Sequence, residues 1–137
     1  MSFFANKSNK ASAIDSLIGA GTTINGDINF TGGLRVDGVV KGNIKAVGDK
    51  LGTLVLSELA KVEGEIEVDH VVINGTVAGS VRTKEYLELL SKARVTGDVS
   101  YKTIEIHVGA IIMGRLMHEG EPKLSDKVIE FKPVSNN

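Results

Sequence analysis

The 137-residue chain is predicted to be an all-β protein, a β-solenoid in which the backbone winds through stacked coils. Three observations predict this fold. A short glycine-centred motif occurs eight times, its copies follow a period of about 17 residues, and both prolines lie beyond the last copy. Because proline removes a backbone donor from a β-ladder, its absence from residues 16–118 agrees with continuous strand pairing there.

The repeated motif is apolar-x-Gly-x-apolar, and two copies overlap in the stretch VDGVVKGNI at residues 36–44. The same pattern returns as INGTVAGSV at residues 73–81. Successive intervals of 16, 22, 15, 18 and 17 residues separate six of the glycines, which are Gly26, Gly42, Gly64, Gly79, Gly97 and Gly114. The long interval contains AVGDKLGT at residues 46–53, which we interpret as a loop insertion.

The alternation within the motif predicts which side chains are buried. Successive side chains of a strand point to opposite faces, so the apolar residues that flank each glycine are expected to face inward. A glycine at a recurring place indicates a corner, where the backbone needs a positive φ or a close approach that a Cβ atom would prevent. The period predicts about three short strands in each coil.

Two segments have helix-like spacing, LVLSELAKV at residues 54–62 and TKEYLELLSKA at residues 83–93. They align with each other within the repeat, and equivalent segments of a repeat are expected to share one conformation. We therefore predict strands for both, with a short helix as the alternative.

The chain is expected to divide into a flexible N-terminal arm (1–15), a β-helical body (16–118) and a flexible C-terminal tail (119–137). A net charge of −1 argues against nucleic-acid binding, and the absence of cysteine excludes disulfides and thiolate metal sites. No secretory signal and no run of 18 apolar residues is found, which predicts a cytoplasmic protein. Aromatic residues make up only 4% of the chain, so the core is expected to be aliphatic.

The stretches SLIGAGTTINGDINFTGGLRVDGVVKGNI, GTLVLSELAKVEGEIEVDHVVINGTVAGSV and ARVTGDVS resemble the bactofilins, which are bacterial cytoskeletal proteins. The resemblance covers residues 16–116 and includes the order of the repeats and the loop insertion. It implies a right-handed parallel β-helix of about six coils with a triangular cross-section. It also implies filaments that form without nucleotide on the inner membrane, where they position cell-wall (peptidoglycan) enzymes and contribute to cell shape.

The ends of the body are predicted to form the polymerisation interface, because a coil buries its apolar face only by stacking on a neighbour. No amphipathic cap helix is evident at either end. The candidate interface residues are Leu17, Ile18, Ile24, Ile28, Ile111, Ile112, Met113 and Leu116. Bactofilins often carry an aromatic residue where this chain has Ile112, which implies a different or weaker joint. The alternative is that residues 127–131 (KVIEF) fold back as a cap.

The N-terminal arm is predicted to contact the membrane through Phe3, Phe4, Lys7 and Lys10. Two partly buried phenylalanines supply a few kcal/mol, and each lysine adds about 1 kcal/mol against anionic lipid. In several bactofilins a similar N-terminal peptide attaches the filament to the cytoplasmic leaflet. The alternative is a disordered tail with incidental phenylalanines.

No catalytic, metal or cofactor site is predicted. His70 and His107 are 37 residues apart, about two coils or roughly 10 Å at ordinary strand spacing, too far to share a metal ion. The histidines, His118 included, are therefore interpreted as solvated strand residues. The alternative function is a hexapeptide-type β-helical acyltransferase, but the glycine intervals do not keep multiples of six. An extracellular polysaccharide-binding solenoid is a third possibility, for which a signal peptide and exposed aromatic residues are missing.

Overall fold

The computed structural model describes residues 13–120, and this part of the chain contains 18 short strands and no helix. Three consecutive strands form one coil. Coils 1 to 3 contain β1 (Ile14–Ile18), β2 (Thr23–Asn25), β3 (Ile28–Phe30), β4 (Gly33–Val36), β5 (Val39–Lys41), β6 (Ile44–Ala46), β7 (Thr53–Leu56), β8 (Lys61–Glu63) and β9 (Ile66–Glu67). Coils 4 to 6 contain β10 (His70–Ile73), β11 (Thr76–Ala78), β12 (Val81–Arg82), β13 (Tyr86–Leu89), β14 (Arg94–Thr96), β15 (Val99–Tyr101), β16 (Thr103–Ile106), β17 (Ile111–Met113) and β18 (Leu116–His118).

The coils stack in parallel, so that every third strand joins the same sheet. The first sheet has the order β1-β4-β7-β10-β13-β16, the second β2-β5-β8-β11-β14-β17, and the third β3-β6-β9-β12-β15-β18. Three six-stranded sheets therefore surround one core, and the predicted β-solenoid of about six coils is confirmed. The stretches 36–44 and 73–81 occupy equivalent places in coils 2 and 4.

The core is a set of aliphatic columns that run along the axis of the β-helix. In the second sheet, for example, the pairing register aligns Ile24, Val40, Val62, Val77, Val95 and Ile112. The four central members of this column are almost completely buried, and none of the fully buried core residues is aromatic. The aliphatic core that the composition predicted is thus present, and each coil covers the apolar face of its neighbours.

A column of glycines lies at the second corner, where each coil passes from the second sheet to the third. Its members are Gly26, Gly42, Gly64, Gly79, Gly97 and Gly114. From Gly42 onward, a Cβ atom on any of them would lie closer than 3.0 Å to the carbonyl oxygen of the equivalent glycine in the preceding coil. Close approach between backbones therefore explains the recurring glycine, as the sequence predicted.

Polar side chains support the same corner from outside. The Oδ1 atom of Asp27 accepts a hydrogen bond from the backbone N–H of Asn43 at 2.9 Å, and Oδ1 of Asn43 accepts from the N–H of Glu65 at 2.8 Å. Asp98 accepts from the N–H of Arg115 at 3.0 Å in the same way. These bonds satisfy corner N–H groups that lie outside the strand ladders.

The other two corners vary in length from coil to coil. The first corner, between the first and second sheets, has either two or four residues. The helix-like segments run through four-residue corners, where Ala60 N–H donates to the Ser57 carbonyl and Ala93 N–H donates to the Leu90 carbonyl. A single turn of this kind gives the sequence a local helix-like spacing. Strands β7 and β8 flank the turn at 57–60, and strands β13 and β14 flank the turn at 90–93, as predicted. The predicted insertion forms the longest third corner, residues 47–52, between coils 2 and 3.

We expect the substitution Gly64→Ala to lower the free energy of unfolding by about 1–3 kcal/mol, the usual cost of overpacking. The added methyl group would press on the carbonyl of Gly42, which two sheets hold in place. Urea unfolding followed by circular dichroism measures the effect. Gly21→Ala is the matched control, because a Cβ atom at Gly21 meets nothing within 4 Å. Equal unfolding midpoints for the two variants would contradict the role given to the glycine column.

Candidate functional site: the two ends of the β-helix

The apolar columns continue into coil 6, where the described residues no longer cover them. Ile112 is in register with Val95, and Leu116 is in register with Val99. Val95 and Val99 are buried, whereas Ile112 is half-buried and Leu116 is 47% exposed. Within residues 13–120, no element covers the outer side of this coil.

Coil 1 shows the same pattern at the opposite end. Ile18, Ile24 and Ile28 are in register with Val36, Val40 and Ile44, which are completely buried. The three isoleucines themselves are only partly buried, although they pack against the core. The described part of the chain therefore has an open apolar cross-section at both ends.

Three of the predicted interface residues lie on the outer surface of the terminal coils. Leu17 is in register with Arg35, Ile111 with Arg94 and Met113 with Thr96, and all three of these partners are exposed. Leu17 and Met113 are themselves 61% and 62% exposed. These residues extend the apolar area of each end outward from the core columns.

Three further apolar residues of the terminal coils were not predicted from the sequence. Ile104 and Ile106 continue the two inner columns of the first sheet, and Phe30 packs partly against the core in coil 1. The alternation in Thr103-Ile104-Glu105-Ile106 was the available signal, because it places both isoleucines on one face of a strand. The stretch carries no glycine motif, so the repeated pattern does not extend to it.

The backbone of residues 13–120 is also open at both ends of the β-helix. Strands β1, β2 and β3 pair only with coil 2, and strands β16, β17 and β18 pair only with coil 5, among the described residues. Edge strands of this kind present unpaired N–H and C=O groups that can pair with another chain. The geometry therefore offers both apolar contact and backbone hydrogen bonding at each end, and it suits stacking of chains.

A charged pair on the outer surface ties coil 6 to coil 5. Nη2 of Arg115 donates to Oδ2 of Asp98 at 2.8 Å, in addition to the backbone bond described above. Both bonds stabilise the carboxylate, so they hold the pKa of Asp98 below its ordinary value, and the ion pair raises the pKa of Arg115. In coil 2, the hydrogen bond from Arg35 lowers the pKa of Asp37 in the same manner.

The three histidines lie in different environments. His70 lies beside the ring of Tyr86, with 6.2 Å between ring centroids, and His118 lies 5.6 Å from the ring of Tyr101. His107 was predicted to lie in a strand with its side chain in solvent. The structure places it in the corner after β16 instead, with Nε2 2.8 Å from Oε2 of Glu88.

Comparison with known proteins agrees with this architecture. A sequence model of the bactofilin family, described as polymer-forming cytoskeletal, matches residues 16–117. The chain belongs to the bactofilin family. Bactofilin BacO of Myxococcus xanthus (strain DK1622) is 31% identical over 102 residues, which span 74% of this chain and 78% of that protein. No solved structure matches this bactofilin.

The predicted membrane contact falls on Phe3, Phe4, Lys7 and Lys10, which lie outside the described residues, as does the alternative cap at 127–131. The described part of this bactofilin contains no helix long and apolar enough to cross a bilayer. Its family is a cytoskeletal one rather than a family of enzymes.

We expect the Asp98–Arg115 pair to stabilise coil 6 only while Asp98 is ionised. The folded-state pKa of Asp98 is depressed, so this stabilisation is present above the ordinary value of 3.8 and is lost as the pH falls through the lower folded-state pKa. The urea midpoint of Arg115→Gln should therefore be lower than that of the wild type at pH 7, and the difference should narrow below pH 3.8.

The control for this comparison is Lys102→Gln, because Lys102 is exposed and has no ion pair within residues 13–120. Its midpoint should follow that of the wild type at every pH. A midpoint difference for Arg115→Gln that is independent of pH would show that the pair does not act through the charge of Asp98.

Proposed function

We propose that this bactofilin is a cytoskeletal scaffold that assembles end to end, without nucleotide, through its open terminal coils. The observation that supports the proposal is the continuation of buried aliphatic columns into half-exposed residues at both ends. Ile24 and Ile112 are the two ends of one such column. A second chain stacked on either end extends the column and gives the edge strands a pairing partner.

The energetics of such a joint are sufficient for a filament. Each large aliphatic side chain that becomes buried contributes roughly 1.5–3 kcal/mol. Coil 6 offers at least three such side chains, Ile106, Ile112 and Leu116. Loss of translational and rotational freedom offsets several kcal/mol of this gain, and the backbone hydrogen bonds between edge strands add to it.

We further propose that the N-terminal arm attaches the filament to the cytoplasmic face of the membrane through Phe3, Phe4, Lys7 and Lys10. One arm holds two aromatic side chains and two cations, which give weak binding to anionic lipid. A filament presents many arms, so membrane affinity rises with assembly through avidity.

On the membrane, the filament is proposed to position peptidoglycan enzymes and to contribute to cell shape, without catalysing a reaction itself. The basis for this cellular role is the resemblance to the family. The family match favours the scaffold over the acyltransferase alternative. The three outer faces, which repeat similar geometry along the axis, provide surfaces on which partner proteins can be arrayed.

The substitutions Leu116→Asp and Ile112→Asp are expected to abolish filaments, because each places a charge in the dry part of the joint. Negative-stain electron microscopy of the full-length protein in nucleotide-free buffer measures this directly. Leu59→Asp is the matched control, since Leu59 is 68% exposed on a corner of coil 3, away from both ends.

Filaments should persist in Leu59→Asp and disappear in the two coil 6 variants, while circular dichroism shows retained β-structure in all three. Discrete particles in the wild type, or filaments that survive both coil 6 substitutions, would contradict end-to-end assembly.

Replacing Phe3 and Phe4 together by alanine is expected to reduce sedimentation of assembled protein with anionic vesicles by tenfold or more, because a few kcal/mol of apolar contact is lost per arm. Phe131→Ala controls for the loss of an aromatic residue elsewhere. Binding that is unchanged in the double variant, or equally reduced in Phe131→Ala, would assign membrane attachment to another part of the chain.

A further inference from the structure

Three potential metal-ligating side chains meet on the outer face of the first sheet, where coil 5 adjoins coil 6. Glu88 lies in β13, Glu105 lies in β16, and His107 follows β16 in the first corner. The pairing register places Glu88 directly opposite Glu105. One donor atom from each of the three residues lies within 4.8 Å of the other two.

The donor spacing is close to that of a bound metal ion. Nε2 of His107 is 2.8 Å from Oε2 of Glu88 and 3.6 Å from Oε2 of Glu105. Ligands at about 2.0–2.1 Å from a tetrahedral zinc ion are separated by about 3.3 Å. Small rotations of surface side chains, with no movement of the backbone, therefore bring all three donors to one ion.

A fourth residue orients the most exposed ligand. The hydroxyl of Tyr86 donates to Oε1 of Glu105 at 2.6 Å, which leaves Oε2 of Glu105 directed at His107. Hydrogen bonds of this kind from outside the ligand set fix ligand geometry in metal sites.

The cluster combines two carboxylates with one imidazole. His107 forms ion pairs with both Glu88 and Glu105. No lysine or arginine of residues 13–120 forms an ion pair with either acid. A divalent cation would balance both carboxylates and leave the imidazole neutral, the form in which histidine ligates metals.

We propose that Glu88, Glu105 and His107 form a binding site for a divalent transition-metal ion of the zinc class. One imidazole and two carboxylates are a donor set that suits zinc, whereas magnesium and calcium favour oxygen ligands alone. Three protein ligands leave one position for water. Because Glu88 belongs to coil 5 and the other two ligands to coil 6, a bound ion links the terminal coil to its neighbour. The site does not depend on the proposed assembly.

Calorimetric titration of untagged, chelator-treated, full-length protein with zinc chloride tests the proposal. One ion per chain is expected, and His107→Ala and Glu88→Gln should each weaken binding by about tenfold or more. Cobalt(II) in place of zinc should give visible d–d absorption in the wild type that both variants lose. Glu88→Gln keeps the size of the side chain, so it tests ligation even if His107→Ala perturbs the corner.

His70→Ala is the matched control, since His70 lies in β10 of the same sheet and outside the cluster. Its zinc affinity should equal that of the wild type. The proposal is overturned if the wild type shows no saturable binding. It is also overturned if His70→Ala weakens binding as much as His107→Ala, or if both His107→Ala and Glu88→Gln bind zinc as tightly as the wild type.

Discussion

The close approach of backbones at the second corner governs how the coils of this β-helix stack on one another. From Gly42 to Gly114, each glycine of the column sits where a Cβ atom would meet the carbonyl of the glycine one coil before it. The corner that contains these glycines has two residues in all six coils. With one corner constant, the strands on either side stay in register, and the aliphatic residues beside them fall into straight columns. Register and core are thus consequences of one steric condition.

An aliphatic column of this kind needs a further coil at each end to bury its last side chain. In a globular core, residues at the centre are surrounded on all sides, but in a β-helix each coil is completed only by the coils before and after it. Within residues 13–120, coils 1 and 6 have one neighbour each. The description of the family as polymer-forming is therefore consistent with the geometry of a single chain. The surface that completes a terminal coil resembles the interior of the same protein.

Much of this architecture was predictable from the sequence because its causes are local and repeated. The glycine spacing predicted the coils, and the alternation around each glycine predicted the buried residues, such as Val40 and Val77. The helix-like segments at 54–62 and 83–93 were assigned to strands by their alignment within the repeat. The inner position of Ile106 and the placement of His107 near Glu88 were not predicted. The alternation in β16 was the signal for Ile106, whereas His107 lies in a corner whose length varies between two and four residues without a sequence motif that sets it.

The three corners differ in how much their length varies from coil to coil. The edge formed by the glycine column has two residues in every coil, and from coil 2 onward it leaves no space for a Cβ atom on its glycines. The other two edges vary in length, and they carry the insertion at 47–52 and exposed apolar side chains such as Leu59 and Val108. Within residues 13–120, differences in length between coils are therefore confined to two of the three edges. Along those two edges the outline of the described body changes from coil to coil, whereas the glycine edge keeps one length.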